Sequence, residues 1–544
     1  MFKRHALLIA LSASLMACGP SDSTPAPPDT ALETFFGTQP AFTGALPPGT
    51  QTVAPAEFMA LVKAGAKVIT PADLARDEAA QKAQDEQDER AAREYIGQYP
   101  EFSALLRPPP GDALNADGDV RVSVETAAGA KQVTLLGNAF GRASLATHAR
   151  TFPSRENQLR LYQELYPDLD AALHELGTSP SQFGLPAPDA VKDLNRSALL
   201  EYNQRLGDLA REYVSSIADL RFRLDPAQAE TGARDQLDRT QRGACETAAA
   251  GGLYANFDWP LKALTTSVKD QGRRGTCWAF ATLAALEAEI ARRDGRLVNL
   301  SEQDYVGHRF VDWAPRAFGD GGDPIFIAQK ASAAGYTFPY ERGWQYNKSN
   351  SRMAFNATQT YTNSCDGYQD ASVNYGVCSD TNFQGYFQSV RFLGTTFVLR
   401  SLPNTGSSSG YRMQSPSDFW EQDNKDRSMS ILVLRSVLGH PTTVTLDMRY
   451  VAPDASGYAP NRSMRTLPDR TPDFQLNHVM TVTGFISSQN LRRTVPGAPI
   501  ADDYGYFIVK NSWGDCWGDQ GYVYLPWTWM KTFVGQASTG ILPE

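Results

Sequence analysis

Cys277, His478 and Asn511 are a thiol, an imidazole and a carboxamide in that chain order, each at the edge of an apolar run. A thiol is a nucleophile only as a thiolate, and an imidazole that can take its proton makes it one. Singly, these residues say little. A lone cysteine is most often a small buried hydrophobe, and a lone histidine before a strand is most often structural. The three together, in the order Cys, His, Asn, are far more specific.

The elements that must position these groups are readable around them. Cys277 opens CWAFATLAALEAEIARRDG, where Ala279, Leu283, Leu286 and Ile290 recur at helical spacing and an Asp-Gly pair closes the run. The thiol therefore falls in the first helical turn, where unbonded N–H groups and the positive end of the helix dipole favour a thiolate. His478 heads the strand-like LNHVMTVTGF, and Asn511 ends YFIVKN. Strands are predicted over 442–448, 479–485 and 506–510, and a second helix over 324–334. Helices first and strands second make an α+β domain with the reactive groups between its two parts.

The segments QGRRGTCWAF, LNHVMTVTGF and KNSWGDCWGDQGY, supported by NLSEQDY, GDGGDP and FPYERG, resemble those of the papain-like cysteine peptidases (family C1), here in a bacterial lipoprotein form. The resemblance covers roughly residues 252–540 with insertions. It implies a papain-like two-lobe fold, with a helical left lobe and a β-barrel-like right lobe, preceded by an α-rich N-terminal region. It also implies an endopeptidase that hydrolyses peptide bonds through an acyl-enzyme. In that scheme Cys277 is the nucleophile, His478 its proton partner, Asn511 the residue that orients the imidazole, and Gln271 an oxyanion donor beside the Cys277 backbone N–H. Trp513 shields the His–Asn hydrogen bond. Gly275, Gly321 and Gly322 lie where substrate backbone approaches, and Asp323, Pro324, Leu476 and Val479 near the main specificity pocket, which by default takes an apolar side chain. Arg274 and Gly319 or Asp320 stand where many relatives have a bridged cysteine pair, and Asn477 where aspartate is frequent. The rival readings are a Cys-dependent acyltransferase and a catalytically unused papain-like binding module.

The 544 residues exceed one average domain, and their formal net charge of −9, without a basic run, argues against a nucleic-acid partner. Lys3, Arg4 and the apolar run after them form a signal peptide, residues 1–17, ending in Leu15-Met16-Ala17-Cys18-Gly19. This resembles a lipobox, which implies lipidation at Cys18 and export to the bacterial cell envelope, with the outer membrane favoured. Membrane contact is then through the lipid anchor alone, and the remaining partner is a peptide or protein substrate. Residues 18–55 have a flexible tether's Pro/Ser/Thr composition. Residues 56–250 read as α-rich with a hairpin over 120–137, and as either a removable propeptide, making the protein a zymogen, or a permanent domain. Residues 251–544 form the peptidase domain, with a polar insertion over about 345–426 that overhangs the cleft as a loop. With Cys18 and Cys277 set aside, Cys245, Cys365, Cys378 and Cys516 allow three disulfide pairings. Sequence proximity favours Cys365 with Cys378, leaving Cys245 with Cys516. No metal-ligand spacing is present, so neither a metal nor another cofactor is expected.

Overall fold

The computed structural model describes residues 30–47, 50–63, 66–98, 120–126, 129–135, 154–221, 253–272, 274–313, 321–341, 346, 387–392, 394–400, 410–421, 424–446, 478–494, 504–515 and 517–544. The chain begins with α1 (Thr30–Thr38), β1 (Gln51–Thr52), α2 (Pro55–Lys63), β2 (Lys67–Ile69) and the polar α3 (Pro71–Gln98). The hairpin expected next is present as β3 (Val120–Thr126) and β4 (Gly129–Leu135). Two amphipathic helices follow, α4 (Arg155–Glu175) and α5 (Arg196–Arg221).

The second half opens with α6 (Cys277–Asp294), α7 (Glu302–His308) and α8 (Pro324–Ala333), then β5 (Phe338–Pro339), β6 (Phe387–Phe392), β7 (Thr395–Arg400), β8 (Gly410–Tyr411) and β9 (Ser417–Asp418). It closes with α9 (Lys425–Leu438), β10 (Thr442–Leu446), β11 (His478–Ser487), α10 (Ser488–Thr494), β12 (Gly505–Lys510), β13 (Tyr522–Pro526), α11 (Trp527–Phe533) and β14 (Val534–Thr539). The three strands expected here are β10, β11 and β12.

Strands 13-12-11-10-14-9 form one antiparallel sheet in that order. The outermost strands, β13 and β9, do not pair with each other, so the described residues form an open sheet where the resemblance implied a barrel-like one. All ten residues of β11 are buried. That follows from helices on both faces: Met480 and Val482 enter the core shared with α4, α5 and α9, while Val479 enters the core around α6. Thr481 carries its hydroxyl to the Ala281 carbonyl of α6 at 3.1 Å, which satisfies a polar group inside that interface.

Two findings depart from the organisation expected of the sequence. First, helix and strand begin at Thr30, inside the stretch of residues 18–55 expected as a flexible tether. Phe36 on α1, Phe58 on α2 and Phe42 are buried against strands of the expected loop insertion, Val390 on β6 and Phe397 and Leu399 on β7 among them. The small sheet has the order β1-β6-β7-β2, with β1 parallel to β6 and β2 antiparallel to β7. Part of the insertion is therefore a hairpin that completes a sheet begun near the N-terminus. Its edge-strand hydrogen bonds are thereby satisfied.

Second, α4 and α5 do not stand apart from the peptidase-like half. Leu161, Leu165 and Leu169 of α4 and Leu199, Leu206 and Ala210 of α5 belong to one buried cluster with α9 and strands β10 to β14. Among the described residues, helix α5 makes its most extensive contact with α9, and it also touches β11. Charges are buried at the same junction. Arg435 on α9 bonds Glu164 on α4 at 2.5 Å, Thr442 at 2.8 Å and Thr539 at 2.9 Å. Burial pushes the Glu164 carboxyl up, but the Arg435 guanidinium, His440 and the Thr539 hydroxyl hold it below its ordinary value. Asp168 on α4 bonds His440 at 2.6 Å, and His440 reaches Glu289 on α6 at 3.2 Å. A buried charge is tolerated only when paired, so these contacts fix the register of α4 on its neighbours.

Among the described residues no helix is long and apolar enough to cross a membrane.

Candidate active site

Helix α6 is buried on nearly every side through its first four turns, enclosed by other elements. It begins at Cys277, which is buried, and ends at Gly295 in the left-handed region at φ 64°. Its N-cap residue, Thr276, makes no side-chain capping bond. The Cys277 sulfur instead accepts hydrogen bonds from the backbone N–H groups of Val479, Trp278 and Cys277 itself. Val479 follows His478 on β11, so the strand that carries the imidazole is pinned against the thiol.

His478 is the first residue of β11, and Asn511 directly follows the last residue of β12. The antiparallel register of the two strands, Thr481 opposite Lys510, brings them together. Asn511 Oδ1 lies 2.8 Å from His478 Nε2 and also accepts from Ser512 N at 2.8 Å. With Nε2 held by Asn511, Nδ1 is the ring nitrogen left for the thiol. Trp513 packs on the imidazole with ring centroids 5.1 Å apart, in place to shield that bond from water.

Gln271 sits on a loop laced to the Asn511 segment. Its backbone N–H donates to Ser512 O at 2.8 Å, Asp270 bridges to Trp513, and Ser512 Oγ donates to Gln271 Oε1 at 2.5 Å. Gln271 Nε2 donates to Arg274 O at 2.7 Å. An amide nitrogen carries two N–H bonds. The one on Arg274 fixes the plane, and the second is the one an oxyanion near Cys277 N–H would take.

Burial dominates the acid–base chemistry. It pushes the Cys277 thiol up to about 11, against the three backbone hydrogen bonds, and pushes the His478 imidazole down to about 4, against the Asn511 bond. Neither group carries a charge alone near neutral pH.

The structure thus brings Gln271, Cys277, His478, Asn511 and Trp513 into one place. The other expected site residues are disposed differently. Gly275 and Gly321 are partly exposed, but Gly322 is buried, and a Cβ there would stand 2.9 Å from the Trp278 indole. The requirement at Gly322 is thus close packing on Trp278. Asp323 is buried and caps α8, accepting from Phe326 N at 2.6 Å and from Gln536 at 3.0 Å, and Pro324 is the first residue of that helix. Leu476, Asn477 and the cysteines Cys18, Cys245, Cys365, Cys378 and Cys516 lie outside the described residues. Among the described residues no group of His, Cys, Asp or Glu side chains could hold a metal. Sequence reasoning missed Ser512, which orients Gln271, and Tyr346, whose hydroxyl reaches the Gln271 carbonyl. Ser512 adjoins Asn511 and could have been found by its position; Tyr346 lies in a polar stretch without periodicity.

The family model for papain family cysteine proteases matches residues 253–384 and 461–532. That part of the chain is similar to the papain family of cysteine proteases. Thiol protease SEN102 from Hemerocallis sp. is 25% identical over 299 residues, 54% of this chain and 61% of that protein. Zingipain-1 from Zingiber officinale is 28% identical over 273 residues, 50% of this chain and 86% of that protein. The chain therefore spans less than two thirds of SEN102. A solved structure of the bromelain protease from Ananas comosus in complex with the E64 inhibitor aligns with 53% of this chain and 98% of its own, at 19% identity and a TM-score of 0.30.

Proposed function

We propose that this protein is a cysteine endopeptidase. The observation that carries the reading is the 2.8 Å bond from His478 to Asn511, on a strand whose next N–H bonds the Cys277 sulfur at a helix start. Sγ attacks the scissile carbonyl carbon as its proton passes to His478. The oxyanion takes the Cys277 N–H and the Gln271 amide. His478 returns the proton to the leaving amine, and water then attacks the thioester, regenerating the thiol and releasing the acid. The substrate is a peptide or protein, lying between α6 and the sheet in a papain-like two-lobe arrangement. The test is labelling by an epoxysuccinyl-type thiol inhibitor together with peptide-library hydrolysis, with Cys277→Ala as control. Full-length, reduced protein that neither labels at Cys277 nor hydrolyses any peptide refutes the reading.

Export and lipidation at Cys18 belong to the same proposal, as do disulfides among Cys245, Cys365, Cys378 and Cys516. Metabolic labelling with a fatty acid, lost in Cys18→Ala, tests the first, and non-reducing peptide mapping the second. The zymogen reading takes a restricted form. A cut between about residues 225 and 255 would separate α5 from the peptidase domain in sequence but not in space, because α4 and α5 share the core of the sheet. Processing is thus a nick, and the two pieces co-elute afterwards. Free elution of a fragment containing residues 154–221 from active enzyme would refute it.

A further inference from the structure

Tyr346 is buried at 6% exposure against the loop that precedes Cys277. Its hydroxyl lies 2.9 Å from Gln271 O and 2.7 Å from Thr276 Oγ1. A carbonyl can only accept, so the single phenol proton goes to Gln271 and the Thr276 hydroxyl donates to the phenol oxygen. The Tyr346 ring meets Phe280 edge to face at 4.8 Å, and the Arg274 guanidinium lies 5.1 Å from its centroid. Arg274 is itself buried and donates to Gln303 at 3.1 Å. One side chain thus touches the loop before the thiol at Gln271, Arg274 and Thr276, and the helix after it at Phe280.

We infer that Tyr346 is a positioning residue for the oxyanion site; the inference rests on the peptidase reading. It acts on both donors. At Gln271 it pins the backbone carbonyl, while Ser512 and Arg274 O hold the side chain, so the amide cannot swing from its place. At Thr276 it holds the hydroxyl of the N-cap residue, which makes no capping bond to the helix. The first N–H groups of α6 then remain directed at the sulfur and at the oxygen that develops beside it.

The test is Tyr346→Phe in the full chain, which removes the hydroxyl and keeps the ring, beside Tyr346→Leu, which removes both. Peptide hydrolysis and alkylation of Cys277 by iodoacetamide are followed across pH. Alkylation displaces iodide at a tetrahedral carbon and builds no oxyanion. In Tyr346→Phe, kcat falls about tenfold, short of the loss when a donor is deleted outright, while KM changes little. The alkylation rate and its pH profile match those of the unmodified protein. Equal kcat in Tyr346→Phe, with a loss confined to Tyr346→Leu, overturns the inference and leaves a packing role. A parallel fall of alkylation and hydrolysis in Tyr346→Phe also overturns it, because the damage is then to the thiol pair. An unmodified protein that alkylates at Cys277 but hydrolyses no peptide overturns the peptidase reading, and this one with it.

Discussion

Gly207 lies on α5 where that helix meets α9, and its substitution measures whether the N-terminal helices belong to the working enzyme. A Cβ at Gly207 would stand 2.6 Å from Ser430 Cβ and 3.3 Å from the Ser430 carbonyl carbon. Neither atom is the tip of a flexible side chain, so the two helices must separate. Overpacking of this kind costs about 1–3 kcal/mol, and Gly→Ala within a helix returns about 1 kcal/mol of propensity. Gly207→Ala is therefore expected to lose about 1 kcal/mol, and Gly207→Leu about 3 kcal/mol. At about 2 cal/mol/K of unfolding entropy per residue, a chain of 544 residues shifts by roughly 1 °C per kcal/mol, so the leucine variant unfolds roughly 3 °C earlier, read by circular dichroism with residual hydrolysis recorded at each temperature. Ser430→Gly removes the opposing Cβ and restores most of the loss in Gly207→Ala, a coupling expected only of side chains in contact. If Gly207→Leu unfolds and hydrolyses as the unmodified protein does, the reasoning fails, since α5 would then not be seated on α9 in the active molecule.

Glu164→Ala leaves the Arg435 guanidinium buried without its carboxylate, and a loss of about 3–5 kcal/mol in denaturant unfolding is expected; an unchanged midpoint would show that water replaces the pair. Asn511→Ala releases the imidazole from its 2.8 Å tether, and kcat should fall by about 10–10² with little change in KM, while a fall in KM alone would count against the orienting role. Because burial pushes His478 down to about 4, the acid limb of kcat/KM should lie below the ordinary histidine value of 6.5; a limb at or above 6.5 would show that the imidazole is not desolvated. Lys269 faces Glu287 at 3.1 Å and Glu302 at 2.6 Å, with Glu341 near. Burial, with Glu341 and Glu287 adding to it and Lys269 opposing, pushes Glu302 up to about 8. A carboxyl raised in the folded state contributes stability below its ordinary value of 4.5 that is lost as pH rises through about 8. Glu302→Gln should therefore flatten the decline in melting temperature over that window, and an identical slope in both proteins would exclude Glu302 as its source.

The chemistry was more legible than the architecture, for a physical reason. Cys277, His478 and Asn511 each sit where an element starts or ends, and apolar periodicity exposes such places directly. The strands β10, β11 and β12 were equally plain, since each is a short apolar run bounded by polar or glycine residues. The pairing of β1 with β6 and of β2 with β7 was not, because strands of two to six residues separated by most of the chain leave no local signal. The roles of Asp323 and Gly322 were misplaced for a related reason. A residue type shows that close approach or capping is required, but not whether the neighbour is a substrate or the protein's own Trp278 or α8. Arg274 is joined through space to Tyr346 and Gln303, and no spacing along the chain encodes that.

The position of α4 and α5 bears on how the site keeps its shape. Strand β11 holds His478 at its start, and its side chains leave on two faces. Val479 and Thr481 face α6, while Met480 and Val482 face the core shared with α4, α5 and α9. A strand clamped on both faces has little freedom to slide, and a one-residue slip would turn every buried side chain to the wrong side. The Val479 N–H could then no longer meet the Cys277 sulfur, nor His478 meet Asn511. Lifting α4 and α5 away would uncover a row of leucines from Leu161 to Leu206 and strip Arg435 of Glu164. Apolar surface exposed at about 25 cal/mol per Å², with an unpaired buried guanidinium added, opposes that release strongly. The helices are better understood as a buttress that fixes the register of the histidine-bearing strand than as a cover that must leave before the thiol can act.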